Sequence, residues 1–181
     1  ERMRRVIDLA ALLGAGYVAG PTCFGLGCFT GKAPVAVEID WAAKFLREAG
    51  EYAASRQIML GVEPLNRFET YLVNTLAQAR ALVDRVNMPQ TVGIHRDNFH
   101  QHREEASLRL AYEPSLGRTV LDHICGSDRG VPGADGTDWE SWVQAHAQEA
   151  EDGIWTYEAF GPPDAAFDAG LLGAVKVWRD L

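Results

Sequence analysis

Four residues that can ligate a metal or move a proton stand where predicted β-strands end. Each lies at or close to the last position of an apolar run; they are Glu63, Asp97, His123 and Glu158. Side chains alternate along a strand, so Glu63 shares a face with Met59 and Gly61, away from the apolar residues that a covering helix would bury. The same count at the other strands predicts that the four side chains converge on one face of one sheet.

Three carboxylates and one imidazole form a suitable donor set for a divalent cation such as Mn²⁺, Mg²⁺ or Co²⁺. Without a cation, the clustered acids would repel one another, and at least one would stay protonated. A single polar residue at the end of a strand is most simply a solvated strand end. Four of them on successive strands favour a shared metal site instead.

A second polar group follows the first, in the predicted loops between strands and helices. Glu69, His100 and Arg129 lie three to six residues after members of the first group. Such loops carry substrate contacts on parallel α/β scaffolds. Acid, imidazole and guanidinium groups hydrogen-bond hydroxyls and carbonyls, whereas phosphate recognition would require a glycine-rich turn that opens a helix. We therefore expect these residues to bind a polar, uncharged small molecule.

Strands and helices alternate along the chain, which is what brings these strand ends together. Strands are predicted at 16–20, 58–63, 91–97, 119–125 and 153–158. Helices are predicted at 2–13, 36–55, 74–86 (with Asn74 as the N-cap), 103–112, 138–150 and 165–180. In the second helix, one apolar stripe consists of Val37, Trp41, Phe45 and Ala49.

This alternation predicts an α/β fold with a parallel sheet, either an open doubly wound sheet or a (β/α) barrel. A dinucleotide-binding sheet would need G-x-G-x-x-G between a strand and a helix. The nearest pattern, Gly25-Leu26-Gly27, lacks the third glycine and the helix. Nucleotide binding is therefore not predicted.

Composition excludes several other classes of function. The 181 residues are 47% hydrophobic with a formal net charge of −8, so we expect neither a nucleic acid nor an anionic membrane as partner. No apolar run approaches the length of a membrane span, and no secretory signal is visible in the first 30 residues. Three cysteines in no disulfide or zinc pattern suggest a reducing compartment, and we expect the cytoplasm.

The motifs around the candidate residues resemble those of a known group of enzymes. They read Glu-Pro-Leu-Asn-Arg-Phe-Glu at 63–69, Asp-Asn-Phe-His at 97–100, Asp-Arg-Gly-Val-Pro-Gly at 128–133 and Gly-Ile-Trp-Thr-Tyr-Glu-Ala-Phe at 153–160. Together they resemble the ketose 3-epimerases (tagatose and psicose epimerases) of the xylose isomerase-like TIM barrel superfamily. The resemblance implies that residues 1–181 form a single partial (β/α) barrel domain, corresponding to strands four to eight and truncated at its N-terminal side.

The same resemblance implies a role for each candidate residue. The metal, Mn²⁺ before Mg²⁺ or Co²⁺, would be held by Glu63, Asp97, His123 and Glu158. The O1–O3 end of a free ketose would contact Glu69, His100 and Arg129. Glu63 and Glu158 would act on C3 from opposite faces of the sugar, one removing its proton and the other returning one, while the metal stabilises a cis-enediolate. Relatives are commonly oligomeric, which leaves a homo-oligomer as one option.

Two features depart from this family. A complete barrel needs roughly 250 residues, so an arc of five strands would leave sheet edges open, and we expect weak metal binding or slow turnover from it. Arg96 stands on the helix-facing side of its strand, where the family has an aliphatic residue. A buried Arg without a partner would be costly. Asp122 has the same outward parity beside His123.

Other functions stay open at this point. They are inosose dehydration or hydroxypyruvate isomerisation on the same scaffold, and an inactive barrel fragment. A DNA-repair endonuclease of the related barrel type would need more than the five histidines present and a basic face, so it is disfavoured.

The remaining polar and aromatic residues have structural interpretations. His95, one inner-face position before Asp97, is expected in the core or supporting a ligand. His146 is expected on the surface, and Cys125 has no neighbouring base that would make it a nucleophile. Core packing is the expected role of Trp41, Trp139, Trp142 and Trp178.

Overall fold

Short strands alternate with helices along the described chain, which comprises residues 1–146, 154–162 and 165–179 of a computed structural model. The strands are β1 (Tyr17–Gly20), β2 (Met59–Val62), β3 (Val92–Asp97), β4 (Thr119–Ile124) and β5 (Trp155–Tyr157). The helices are α1 (Arg2–Leu12), α2 (Ala36–Ala54), α3 (Leu76–Val86), α4 (Asn98–Glu104), α5 (Leu108–Tyr112), α6 (Trp139–His146) and α7 (Ala165–Arg179), with a 3₁₀ turn at Glu113–Ser115. The predicted helix residues 147–150 and 180 and the predicted strand residue 153 lie outside the described residues.

The five strands form one parallel sheet in the order β1-β2-β3-β4-β5. Each strand is therefore added on the same side of the one before it. Since parallel crossovers are right-handed, this order places the connecting helices on a single face of the sheet. A doubly wound sheet would reverse its order at a switch point. The arrangement is a half-barrel, and the predicted (β/α) barrel class is confirmed; the assignment to one domain with strands four to eight stays a prediction.

The hydrophobic core lies between the outer face of the sheet and these helices. Leu60, Val62 and Ile94 are fully buried on the strand side, as the alternation of the strands predicts. The helices contribute Leu46, Leu76, Leu82, Val83 and Val86, which are also buried. Within the described residues, each helix is too short or too polar to span a bilayer.

Two helix boundaries differ from those predicted. The N-cap of α3 is Thr75 instead of Asn74: its hydroxyl accepts the Gln78 N–H at 3.2 Å, and the Gln78 side chain accepts the Thr75 N–H at 3.1 Å, which completes a capping box. The single helix predicted at 103–112 is two helices, α4 and α5. The first begins directly after Asp97, because the Asp97 carboxylate accepts the Phe99 N–H at 2.9 Å.

The apolar stripe of α2 does not face the core. Val37, Trp41 and Phe45 are exposed, with Trp41 at 64%, so the expectation that Trp41 packs in the core was wrong. Of the stripe, Ala49 is buried, and the helix otherwise buries an alanine-rich face that includes Ala42, Ala43, Leu46 and Ala53. Among the other tryptophans, Trp142 is fully buried and Trp139 packs against the core, whereas the Trp178 side chain lies outside the described part of the structure.

Arg96 is fully buried, and it has the partner that the sequence did not reveal. Its guanidinium donates two hydrogen bonds to the Asp122 carboxylate on the neighbouring strand, at 2.6 and 2.7 Å. His146 contacts the same carboxylate at 3.0 Å and is buried, so its expected surface position was wrong. The periodicity of α6 alone did not reveal that this polar residue faces the sheet.

Gly93 lies where β3 approaches β4 most closely, so a larger residue should destabilise the sheet. A Cβ atom there would lie 2.5 Å from the Arg118 carbonyl oxygen and 2.6 Å from Val120 Cγ2. We expect Gly93→Ala to lower the free energy of unfolding by about 1–3 kcal/mol, measured by urea denaturation. Gly16→Ala is the matched control, because its Cβ would meet nothing within 4 Å, and it should change stability by less than about 1 kcal/mol. Equal losses in both variants would contradict the close approach.

Candidate functional site

The four predicted ligands meet at the carboxyl end of the sheet. Glu63 directly follows β2, Asp97 ends β3, His123 is the penultimate residue of β4 and Glu158 directly follows β5. Each offers one ligand atom, and these atoms all lie within 4.8 Å of one another. Because the strands are parallel and short, their carboxyl ends face one common space. The convergence predicted from strand alternation is therefore present in the structure.

Positive side chains lie between the acids of this cluster. One nitrogen of Arg129 donates to Asp97 at 2.7 Å and to Glu158 at 2.8 Å. His123 Nδ1 lies 2.9 Å from the same Glu158 oxygen and 3.7 Å from Asp97. Asp97 and Glu158 therefore share two cationic partners, whereas the rings of His95 and His100 each lie 3.5 Å from one oxygen of Glu63.

The different positive partners of these acids affect the pKa values of the cluster. Burial raises the pKa of Glu63, and the contact with His100 opposes this only in part. Burial acts the same way on Asp97, but the hydrogen bond with His123 and the charges of His100 and Arg129 outweigh it and hold the pKa of Asp97 well below its usual range. For His123, burial lowers the pKa, but Asp97 and Glu158 outweigh it and raise the pKa to about 9. Burial therefore determines the direction of the pKa shift at Glu63, whereas the partners determine it at Asp97 and His123.

The cluster suits a divalent cation by its chemistry and its spacing. Carboxylate oxygens with one imidazole are ligands for Mn²⁺-type ions, whose bonds to oxygen are about 2.0–2.6 Å long. Ligand atoms within 4.8 Å of one another can therefore contact a single ion. The raised pKa of Glu63 indicates that a further positive charge beside it would be favourable. The side chains of Glu63, Asp97, His123 and Glu158 are therefore suitable, in type and in spacing, to bind one divalent cation.

His95 lies against the cluster. It is buried, and its ring stands edge-on to His123 with centroids 4.1 Å apart. Neither ring nitrogen has a hydrogen-bond partner among the residues that the structure describes. Burial and the neighbouring His123 lower the pKa of His95 to about 3, so the ring is neutral. Glu63, His95 and His123 form a second group whose atoms are close enough to hold an ion. The buried position of His95 against His123 also agrees with the expected role of supporting a ligand.

The residues of the predicted second layer lie beside the cluster. His100 is fully buried, and its Nδ1 accepts the Asn66 N–H at 3.0 Å. The Asn66 side chain donates to Glu69 at 2.7 Å, which links Glu69 to His100 through one amide. Arg129 Nη2 lies 3.3 Å from His100 Nε2. The structure therefore brings Glu69, His100 and Arg129 into one connected group next to the candidate ligands.

Arg129 is held by its loop and by aromatic rings. Its backbone is left-handed, with φ of 69°, and its carbonyl accepts the Phe160 N–H at 2.6 Å. Its guanidinium lies 4.2 Å from the ring centre of Phe99 and 5.5 Å from that of Phe160. Such cation–π contacts favour a guanidinium between two rings. Phe68, in the loop after β2, is 76% exposed.

Sequence reasoning missed the central position of Asn66. The Asn66 side chain fixes the turn after β2 by accepting the Phe68 N–H at 3.0 Å. The buried amide also orders both Glu69 and His100. Its three-residue distance from Glu69 was the available signal, but the contact with His100 depends on the packing of this loop against α4.

Comparison with known proteins identifies the family. A family model described as "Xylose isomerase-like TIM barrel" matches residues 1–177. The chain belongs to this family. The "Probable ketose 3-epimerase" of Synechocystis sp. is 29% identical over 179 residues, which are 99% of this chain and 61% of that protein. The "L-ribulose 3-epimerase" of Methylomonas sp. is 30% identical over 181 residues, or 100% of this chain and 62% of that protein.

A solved structure of this xylose isomerase-like barrel type gives the same fold. The crystal structure of D-psicose 3-epimerase with D-tagatose from Clostridium cellulolyticum H10 matches with a TM-score of 0.89 at 21% identity, over 98% of this chain and 68% of that one. At this identity the likeness establishes the fold alone. The chain spans about three fifths of the length of the curated relatives it matches, 61% and 62% for the two above. What those relatives catalyse is therefore a proposal for this chain.

The contact between Asn66 and His100 predicts the tautomer of the histidine. A backbone N–H can only donate, so His100 Nδ1 must be the acceptor, and in the neutral ring the proton must sit on Nε2. We expect the long-range ¹H–¹⁵N spectrum of the metal-free protein to report the Nε2–H form, with the signals assigned by their loss in His100→Gln. Asn66→Ala keeps the backbone donor and should leave the tautomer unchanged. A neutral His100 carrying its proton on Nδ1 would contradict this hydrogen bond.

Proposed function

We propose that this chain carries the active site of a divalent-metal-dependent sugar epimerase that inverts C3 of a free ketose. The main support is the placement of two glutamates, Glu63 and Glu158, after β2 and β5. The strands between them carry Asp97 and His123 at or next to their last residues, which would put the two glutamates on opposite sides of the candidate metal site. The names of the relatives, a ketose 3-epimerase and an L-ribulose 3-epimerase, agree with this chemistry.

Inversion of a carbon next to a carbonyl needs a base on each side of it. The C3 proton of a ketose is weakly acidic because C2 is a carbonyl, and one carboxylate can remove it while the other group returns a proton to the opposite face. Burial raises the pKa of Glu63, which makes its carboxylate a stronger base. Glu158 is half-buried and hydrogen-bonded to Arg129 and His123, which place positive charge beside its carboxylate.

The metal would be held by Glu63, Asp97, His123 and Glu158, and the mixture of carboxylates with an imidazole supports Mn²⁺. When bound, such a cation supplies a Lewis acid that lowers the energy of negative charge on the sugar oxygens beside C3. Two of the four ligands, Asp97 and His123, are register partners on adjacent strands, which favours a rigid site.

The second layer would orient the sugar. The guanidinium of Arg129, the Nε2–H of His100 and the carboxylate of Glu69 offer two donors and one acceptor to neighbouring hydroxyls and a carbonyl. Asn66 would fix the relative positions of His100 and Glu69 from behind. This arrangement supports contacts with the O1–O3 end of a small, uncharged ketose.

The reaction can be tested by hydrogen exchange at C3. The protein is incubated with Mn²⁺ in D₂O and one of four ketoses, D-psicose, D-tagatose, D-fructose or L-ribulose. We expect it to invert C3 of at least one of them and to place solvent deuterium at that carbon. The loss of the C3 proton signal is measured by ¹H NMR. Glu158→Gln should lower the rate by at least about 100-fold, since it removes one acid–base group. Glu51→Gln, on the exposed side of α2, is the matched control and should not change the rate. Parent-like epimerisation by Glu158→Gln would overturn the mechanism, and unexchanged C3 protons across the panel would overturn the activity.

Metal binding can be tested without the sugar. A ligand that binds only the folded state stabilises it by RT ln(1 + [L]/Kd), about 2.7 kcal/mol at a hundredfold excess over Kd. We therefore expect Mn²⁺ to raise the Tm of the parent and EDTA to reverse the shift. Asp97→Asn should lose most of the shift, because it removes a charged ligand while the amide still caps α4. The same Mn²⁺-induced shift in parent and Asp97→Asn would exclude Asp97 as a ligand.

A further inference from the structure

A buried ion pair joins the two central ligand-bearing strands on the side opposite the candidate metal. Arg96 and Asp122 are almost fully inaccessible, with side chains 1% and 3% exposed. Two parallel hydrogen bonds, from Nε to Oδ1 at 2.6 Å and from Nη2 to Oδ2 at 2.7 Å, make the contact bidentate. A planar fork facing a carboxylate admits little variation in distance or angle. The contact therefore fixes the position of one strand relative to the other.

Helices α5 and α6 extend this contact. His146 of α6 places Nε2 3.0 Å from Asp122 Oδ1 and Nδ1 2.8 Å from the Trp142 carbonyl oxygen. Trp142 in turn donates its indole N–H to the Tyr112 hydroxyl at 2.6 Å, and the Tyr112 ring lies 4.9 Å from the Arg96 guanidinium carbon. Both helices are thus attached to the pair, which prevents it from turning away from the sheet.

The pair stands one residue before two candidate ligands. In the pairing of β3 with β4, Arg96 lies opposite Asp122, and the next pair is Asp97 opposite His123. The register of these strands is irregular between Ile94 and His95, and it is regular from the pair of His95 with Leu121 through the ion pair to the ligands. A shift of one residue would send the side chains of a strand to the other face of the sheet. The ion pair therefore lies within the regular stretch that carries the ligands, where it can hold the register.

Stability alone does not account for the pair. Replacing a buried ion pair by apolar residues of similar size is often neutral or stabilising, because removing two charges from water costs as much as their attraction returns. Fixing a register is the best supported use of buried ionic groups. Groups behind metal ligands also affect affinity, typically by about 10–100-fold.

We propose that Arg96, Asp122 and His146 are positioning residues that hold Asp97 and His123 in register for the metal. In its metal-binding part, this inference rests on the proposed function. The register itself is a property of the metal-free chain and can be measured separately.

The test compares Mn²⁺ affinity and amide exchange in matched variants. Arg96→Lys keeps the charge but loses the fork, Asp122→Asn keeps the shape but loses the charge, and Arg96→Leu/Asp122→Val replaces the pair by apolar residues. Each should raise the Kd for Mn²⁺ about tenfold or more by calorimetry. In the metal-free protein, each should speed hydrogen exchange in β3 and β4 more than in β1 and β2.

Asp84→Asn is the control. Asp84 accepts from Arg118 Nη2 at 2.6 Å, just before β4 begins and away from the ligands. This variant should leave Kd and the exchange pattern at their parent values. The double variant keeps the test valid if a single variant leaves a buried charge that prevents folding.

The outcomes separate the inference from the proposed function. If the parent binds Mn²⁺ and the folded double variant binds it equally well, the positioning role is excluded. If the parent binds no Mn²⁺, the proposed metal site fails, and exchange decides the inference alone. Selective loss of protection in β3 and β4 would then support the register role, and uniform loss across the sheet would overturn it.

Discussion

Carboxylates placed within 4.8 Å of one another need positive charge among them, and this requirement organises the carboxyl end of the sheet. Arg129 meets part of it by bridging Asp97 and Glu158 with one nitrogen. It does so from a left-handed backbone position in the loop after β4, tied to the end of β5 through the Phe160 N–H. Arg129 thus connects the carboxyl ends of β3, β4 and β5. A cation at these oxygens would share them with Arg129, and positive charge beside Glu63 would offset the burial that raises the pKa of this carboxyl group.

Much of this arrangement could be predicted from the sequence because it depends on local rules. Alternation along a strand assigns Glu63, Asp97 and His123 to one face, and parallel strands bring their ends together. The bounds of the strands follow from the same apolar runs. Helix α4 could have been extended back to Asn98 by the capping preference of Asp97.

The rest depended on packing that a one-dimensional pattern does not contain. The stripe of Val37, Trp41 and Phe45 has helical spacing, but spacing does not tell which of two apolar faces meets the sheet; the alanine-rich face does, since it allows close approach. Arg96 looked unpaired because its partner is 26 residues away and is found only once the register of β3 and β4 is known. The surface position predicted for His146 failed for the same reason, as its acceptor lies on β4.

The buried pair between Arg96 and Asp122 also limits how the sequence can evolve. Losing either partner alone leaves a charge in an apolar interior, at a cost of about 3–5 kcal/mol, which is a large part of the stability of most domains. Exchanging both for apolar residues avoids that cost. Positions 96 and 122 should therefore be epistatic: an apolar residue at one position is deleterious as long as the charged residue remains at the other. Single mutations should seldom convert the ionic pair into an aliphatic pair, because the intermediate with one charged residue is less stable than either.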